Sequence, residues 1–91
     1  MALEVALPFV DSKTVAAAGT PEALTTREVN CSSVFIQPLV DNTNPVFIVD
    51  KADDSKTLEV GSAGITLPIT DPRLIFIDVT TNDEGVEWVA V

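Results

Sequence analysis

Three stretches of this chain are apolar without interruption: Val34-Phe35-Ile36, Val46-Phe47-Ile48-Val49 and Leu74-Ile75-Phe76-Ile77. β-branched and aromatic residues dominate them, and such residues suit a pleated strand better than a helix. Each run is too short for a helix, and turn chemistry separates the strands: Asn42-Thr43-Asn44-Pro45, Gly61-Ser62-Ala63-Gly64, Asp71-Pro72 and Asn82-Asp83-Glu84-Gly85. A strand with one wet face alternates apolar and polar residues. These three do not, so each points apolar side chains both ways.

The rest of the chain reads the same way. In residues 2–9, Leu3, Val5, Leu7 and Phe9 alternate with Ala2, Glu4, Ala6 and Pro8, which is period two. Pro8 cannot donate to a ladder and places that strand at a sheet edge or marks its end. Further strands are expected near 14–18, 22–26, 33–40, 45–50, 64–70, 74–81 and 85–91. Residues 20–29 carry a possible N-cap (Thr20) and Pro21 at a first helical position, but they are short, Thr-rich and read as a strand or single turn. Residues 40–50 read as a β-hairpin, with Asp41 and Asn42 capping the turn and Pro45 starting the second strand. Residues 50–64, rich in acids, read as the longest irregular loop, with a possible short strand at Thr57–Val60. Residues 85–91 run apolar to the last position, with Val86, Trp88 and Ala90 on one face and Glu87, Val89 and Val91 on the other. A paired, buried final strand follows, and a long C-terminal fusion should be tolerated poorly, or only if the end points outward.

Seven to eight short strands at this spacing predict an all-β fold, a single small antiparallel β-sandwich or barrel. Residues 1–10 are expected to form an N-terminal strand or arm, and residues 11–91 the sandwich. With 91 residues there is one domain, burying roughly 60–65% of the surface of the unfolded chain. The 46% apolar content excludes global disorder despite a formal charge of −9.

Composition excludes several functions. Five scattered basic residues against fourteen acids argue against nucleic acid and against anionic membranes. No apolar run reaches the ~20 residues of a membrane-spanning helix. The first ten residues include Glu4 and lack a basic region, unlike a signal peptide. There is no histidine and no tyrosine, so the commonest general base and zinc ligand are missing. Cys31 has no partner for a disulfide or a catalytic pair and reads as a small buried side chain in a protein made in a reducing cytosol. No enzymatic activity and no cofactor are expected. Asp50, Asp53 and Asp54 lack the spacing of an EF-hand loop and read as a solvated acidic segment rather than a Ca²⁺ site. Trp88, alternating with Val86 and Ala90, reads as core rather than as a sugar platform.

The outward apolar set needs cover from a loop, a second copy or another protein. Phe35, Phe47 and Phe76 are the expected interface residues on the central strands. Leu3, Val5, Leu7 and Phe9 are expected to form an arm that adds a strand to a neighbour.

The order of motifs resembles a family of small structural proteins of tailed bacteriophages. The resemblance lies in Thr20, Pro21 and Leu24; in Cys31, Ser33, Val34, Ile36, Gln37, Asn42 and Thr43; in Leu58 and Gly61; in Ile65 to Ile69; and in Ile75, Ile77, Asp78 and Gly85. It covers residues 19–91. Asp50 stands where that family commonly has Gly, and residues 1–10 have no counterpart. The resemblance implies a virion structural protein, foremost a capsid decoration (cement) protein on the capsid exterior, made in the bacterial host cytoplasm. It would bind the major capsid protein and associate with itself, as a homotrimer first and a dimer second. A head-fibre base, neck or tail component is the alternative within the virion, and a carbohydrate-binding module the alternative from another class.

Overall fold

The computed structural model describes residues 9–51 and 53–91. Among them are eight strands: β1 (Phe9–Thr14), β2 (Glu22–Ala23), β3 (Val34–Pro38), β4 (Val46–Asp50), β5 (Asp53–Val60), β6 (Ile65–Leu67), β7 (Phe76–Val79) and β8 (Gly85–Ala90). A single 3-10 turn, Pro72–Leu74, precedes β7. Its first turn is capped by the Asp71 carboxylate, which accepts from the Arg73 amide. The strands form two antiparallel four-stranded sheets, of order β1-β8-β3-β6 and β2-β7-β4-β5. The fold is a small β-sandwich.

The wiring is specific. Only β4 and β5 are joined within one sheet; the other six connections pass from one sheet to the other. Read in step, the two orders pair β1 with β2, β8 with β7, β3 with β4 and β6 with β5. Eight antiparallel strands in two interlocked sheets of this order make a jelly roll. Four connections, 15–21, 39–45, 61–64 and 80–84, lie at one end of the sandwich, here called the arch end. The other three lie at the opposite end.

The core follows from the pleat. Val34 and Ile36 of β3, Ile77 and Val79 of β7, and Val86, Trp88 and Ala90 of β8 all point inward and are buried, joined by Val15, Leu24, Val46, Val60 and Ile75. β8 lies between β1 and β3, so the expected burial of Val86, Trp88 and Ala90 holds. Val91 continues the pairing, with its N–H on Ser33 O at 3.0 Å and its carbonyl accepting from Ser32 N at 2.7 Å.

Several expectations are corrected. Residues 40–50 are not a hairpin: β3 and β4 belong to different sheets, and 39–45 is an arch between them. Asn42 does not cap the turn: its side chain bonds Gly85 at the start of β8, while Thr43 and Asn44 bond Glu84 of the 80–84 connection, and these partners swing the chain across the sandwich. Residues 50–64 are not a loop. They contain β5, an eight-residue edge strand paired with β4 from Val46↔Val60 to Asp50↔Asp53 across a bulge at Val49/Asp50. Its charged composition is that of an edge strand in water rather than of a turn.

The strand expected at 14–18 is displaced to β1. Val15 pairs instead with the β7–β8 connection, through Val15 N→Glu84 O (2.9 Å) and Asp83 N→Val15 O (2.8 Å). The 22–26 strand shrinks to two residues because the Thr25 hydroxyl accepts from Arg27 N and bends the chain. The 64–70 strand stops at Leu67, before Pro68, which has no N–H to give.

Candidate interaction surfaces

The expected interface residues do not converge. Leu3, Val5 and Leu7 lie outside the described residues. Phe9 belongs to β1 and sits opposite Ala90 on its inner side. Its ring lies 5.4 Å from that of Trp88, and the Arg27 guanidinium stands 4.7 Å over it.

Phe35 is half-buried on the outer face of the first sheet, opposite Val89 and Thr66. Gly64, with φ +79°, folds the β5–β6 turn against the Phe35 ring, and a Cβ there would collide with it. Phe47 and Phe76 are half-buried on the outer face of the second sheet. Phe47 stands opposite Glu59 and Asp78, and Phe76 opposite Ala23 and Val49. The Lys51 ammonium lies 5.6 Å from the Phe76 ring, a cation–π contact that covers part of it.

The first sheet carries a row that the sequence only half announced. Val10, Val89 and Phe35 lie side by side on β1, β8 and β3, all facing outward. Val10 is 66% exposed and Val91, beyond Val89 on the same side, 52%. Val89 and Val91 were placed outward by the sequence pattern. Val10 was missed, because the alternation in residues 2–9 singled out Leu3, Val5, Leu7 and Phe9 as the apolar face.

The arch end is held by a polar network. The Glu84 carboxylate accepts from Thr43 N (2.7 Å), Thr43 Oγ1 (2.8 Å) and Asn44 N (3.2 Å). The Thr43 amide above all, then its hydroxyl and the Asn44 amide, hold Glu84 below the usual carboxylate range against a smaller upward push from burial. Asn42 bridges both backbone groups of Gly85, donating Nδ2 to the carbonyl (2.7 Å) and accepting the N–H at Oδ1 (3.2 Å). Asn44 Nδ2 reaches Thr81 Oγ1 at 2.6 Å. The 15–21 connection joins in, through Ala18 N→Asn82 Oδ1 (2.8 Å) and Gly19 N→Asp78 Oδ1 (2.9 Å). Gly85 must be glycine, since a Cβ would strike the Lys13 carbonyl of β1. Nearby, Lys13 Nζ and Glu22 Oε1 pair at 2.8 Å and tie the edge strands β1 and β2 across the two sheets. That bond, and the Ala16 amide after it, lower the Glu22 carboxyl.

Elsewhere the chemistry is modest. Cys31 is half-buried and donates to Ile69 O at 3.2 Å; burial, with Asp71 adding to it, pushes its thiol up. Arg73 grips Asp71 through two side-chain bonds of 3.0 Å. Trp88 is 1% exposed and offers no platform to a sugar. No three metal-ligating side chains converge among the described residues, and no helix there is long and apolar enough to cross a membrane. No protein-family model, curated protein or solved structure matches the chain.

Proposed function

We propose that this chain is a virion structural protein, a capsid decoration (cement) protein that binds the major capsid protein lattice from outside and stabilises it. The jelly-roll wiring is compatible with that role, but viral capsid domains, lectins and cupins all use it, so the fold alone does not select a function. The observation that carries the reading is apolar side chains on the outside of both sheets. Val10, Val89 and Phe35 cross the first sheet, and half-buried Phe47 and Phe76 share the second, where Val49 is already covered. Completing the burial of Val10 and Val91, each about half to two-thirds exposed, is worth about 1–2 kcal/mol apiece. Association is therefore favoured, with a homotrimer the first expectation and a dimer the second. The motif resemblance over residues 19–91 points the same way, and the net charge of −9 keeps unbound copies dispersed.

The test is to mix the purified chain with empty, expanded heads of the tailed phage that encodes it. Saturable binding with a raised melting temperature of the heads is expected. Heads that bind no chain would overturn the proposal.

A further inference from the structure

Two open grooves flank the 39–45 arch. One, of about 570 Å³, runs between the arch and the β5–β6 turn and is lined by Pro38, Val40, Pro45, Glu59 and Glu87 among others. The other, of about 270 Å³, lies towards the β7–β8 connection and is lined by Leu39, Val40, Asp41, Asp83, Glu84 and Glu87. Val40 separates them and is 92% exposed, a bare aliphatic side chain between two hollows.

Donors and acceptors at this end are unequally used. The Thr43 and Asn44 amides and the Thr43 hydroxyl are committed to Glu84, and the Asn44 side-chain amide to Thr43 and Thr81. The Gln37 amide leans on Glu87 at 3.4 Å. Beyond these and the Ser62 hydroxyl, what faces the grooves is acceptor chemistry, the carboxylates of Asp41, Glu59, Asp83 and Glu87. No lysine or arginine lines either groove. Lys13 is spent on Glu22. Arg27, Lys51 and Arg73 belong to the three connections of the opposite end, and Lys56 lies on the half of β5 nearest that end. An anion is repelled here, and a neutral ligand would find few donors.

We propose that the arch end is a docking surface for a cationic, partly apolar segment of a partner protein, lysine or arginine side chains beside an aliphatic one. The aliphatic group packs on Val40 and the two proline rings; the cations meet Glu59 and Glu87. Apolar centre and charged rim divide the work as in other protein interfaces. This deepens the virion reading and rests on it only for the partner's identity, which would then be the capsid protein.

The test is an NMR titration of the ¹⁵N-labelled full chain with three synthetic peptides that share a leucine-containing core and are basic, neutral or acidic at their flanks. The basic peptide is expected to shift amides in 39–44, 59–62 and 84–87, with the response weakening as salt rises. Glu59→Lys combined with Glu87→Lys removes the response. Should that pair disturb the fold, Val40→Lys, at a fully solvated position, serves instead. No response to millimolar basic peptide, equal responses to all three, or shifts confined to the outer sheet faces would overturn the proposal. Binding of the same variants to phage heads separates the two readings. Heads that bind wild type and the double variant alike keep the virion role and sink the docking surface. A chain that takes the peptide but no heads does the reverse.

Discussion

Asn42→Asp changes one atom's chemistry and almost nothing of the side chain's shape. In the wild type, Asn42 both gives and takes: Nδ2 donates to the Gly85 carbonyl at 2.7 Å and Oδ1 accepts the Gly85 N–H at 3.2 Å. An aspartate can only accept. It keeps the second bond, loses the first, and sets an ionised oxygen against the carbonyl of Gly85, a buried residue. The lost bond costs about 1 kcal/mol. The charge facing a carbonyl dipole adds about 1–2 kcal/mol. Gly85 O is not orphaned, because Leu39 N also donates to it at 3.1 Å, so the total stays near 2–3 kcal/mol. In a domain of this size that lowers the melting temperature by about 10–20 °C.

The penalty also depends on pH. The carbonyl raises the folded-state pKa of the new carboxyl, so the cost is present above that pKa and shrinks as pH falls through it, when the protonated acid donates again. Urea unfolding followed by the fluorescence of the single tryptophan, at pH 7 and near pH 4, reads both effects. Equal stability of the two proteins at pH 7, or a difference that does not change with pH, would refute the assignment of Asn42 as a bond between the arch and β8.

Other outcomes follow from the same end of the sandwich. Gly85→Ala drives a methyl group into the β1 backbone at Lys13 and should cost about 1–3 kcal/mol, seen in the same unfolding curves, with faster amide exchange in β1. Glu22, Asp71 and Glu84 all titrate below their ordinary range. Their stabilisation is full at neutral pH and drains away as pH falls below about 4.5 through the lowered values. Glu84→Gln should flatten that acid loss in a series of thermal melts. Deleting Val89 to Val91 removes buried Ala90 and the Val91 bonds to Ser32 and Ser33. The shortened chain should be less soluble and melt well below the wild type.

Much of the fold was legible because strands announce themselves locally. Period two around Trp88, the apolar runs at Val34 and Ile75, and the turn residues between them fixed which side chains meet the core. The partition into sheets was not legible. Asn42-Thr43-Asn44-Pro45 suits a hairpin and an arch equally, and what decides is Glu84, which lies beside it only after folding. β5 was hidden by composition: Asp53, Asp54, Ser55 and Lys56 read as loop, yet Leu58 and Val60 keep the inward parity of a strand with a solvated edge.

The surfaces were legible in part. Phe35, Phe47 and Phe76 take the outward positions that uninterrupted apolar runs require. Phe9 instead stacks on Trp88 at the inner side of β1, because its register is set by Ala90 rather than by its own neighbours. Val40 carried no periodic signal at all.

If the outward row Val10, Val89 and Phe35 is an unfinished interface, the chain should associate with itself. Sedimentation equilibrium of the purified full chain, wild type beside Val89→Glu, addresses it without any partner. A mass of more than one chain is expected for the wild type, a trimer before a dimer, and a single chain for the variant. A wild type that stays a single chain at the highest soluble concentration would contradict it.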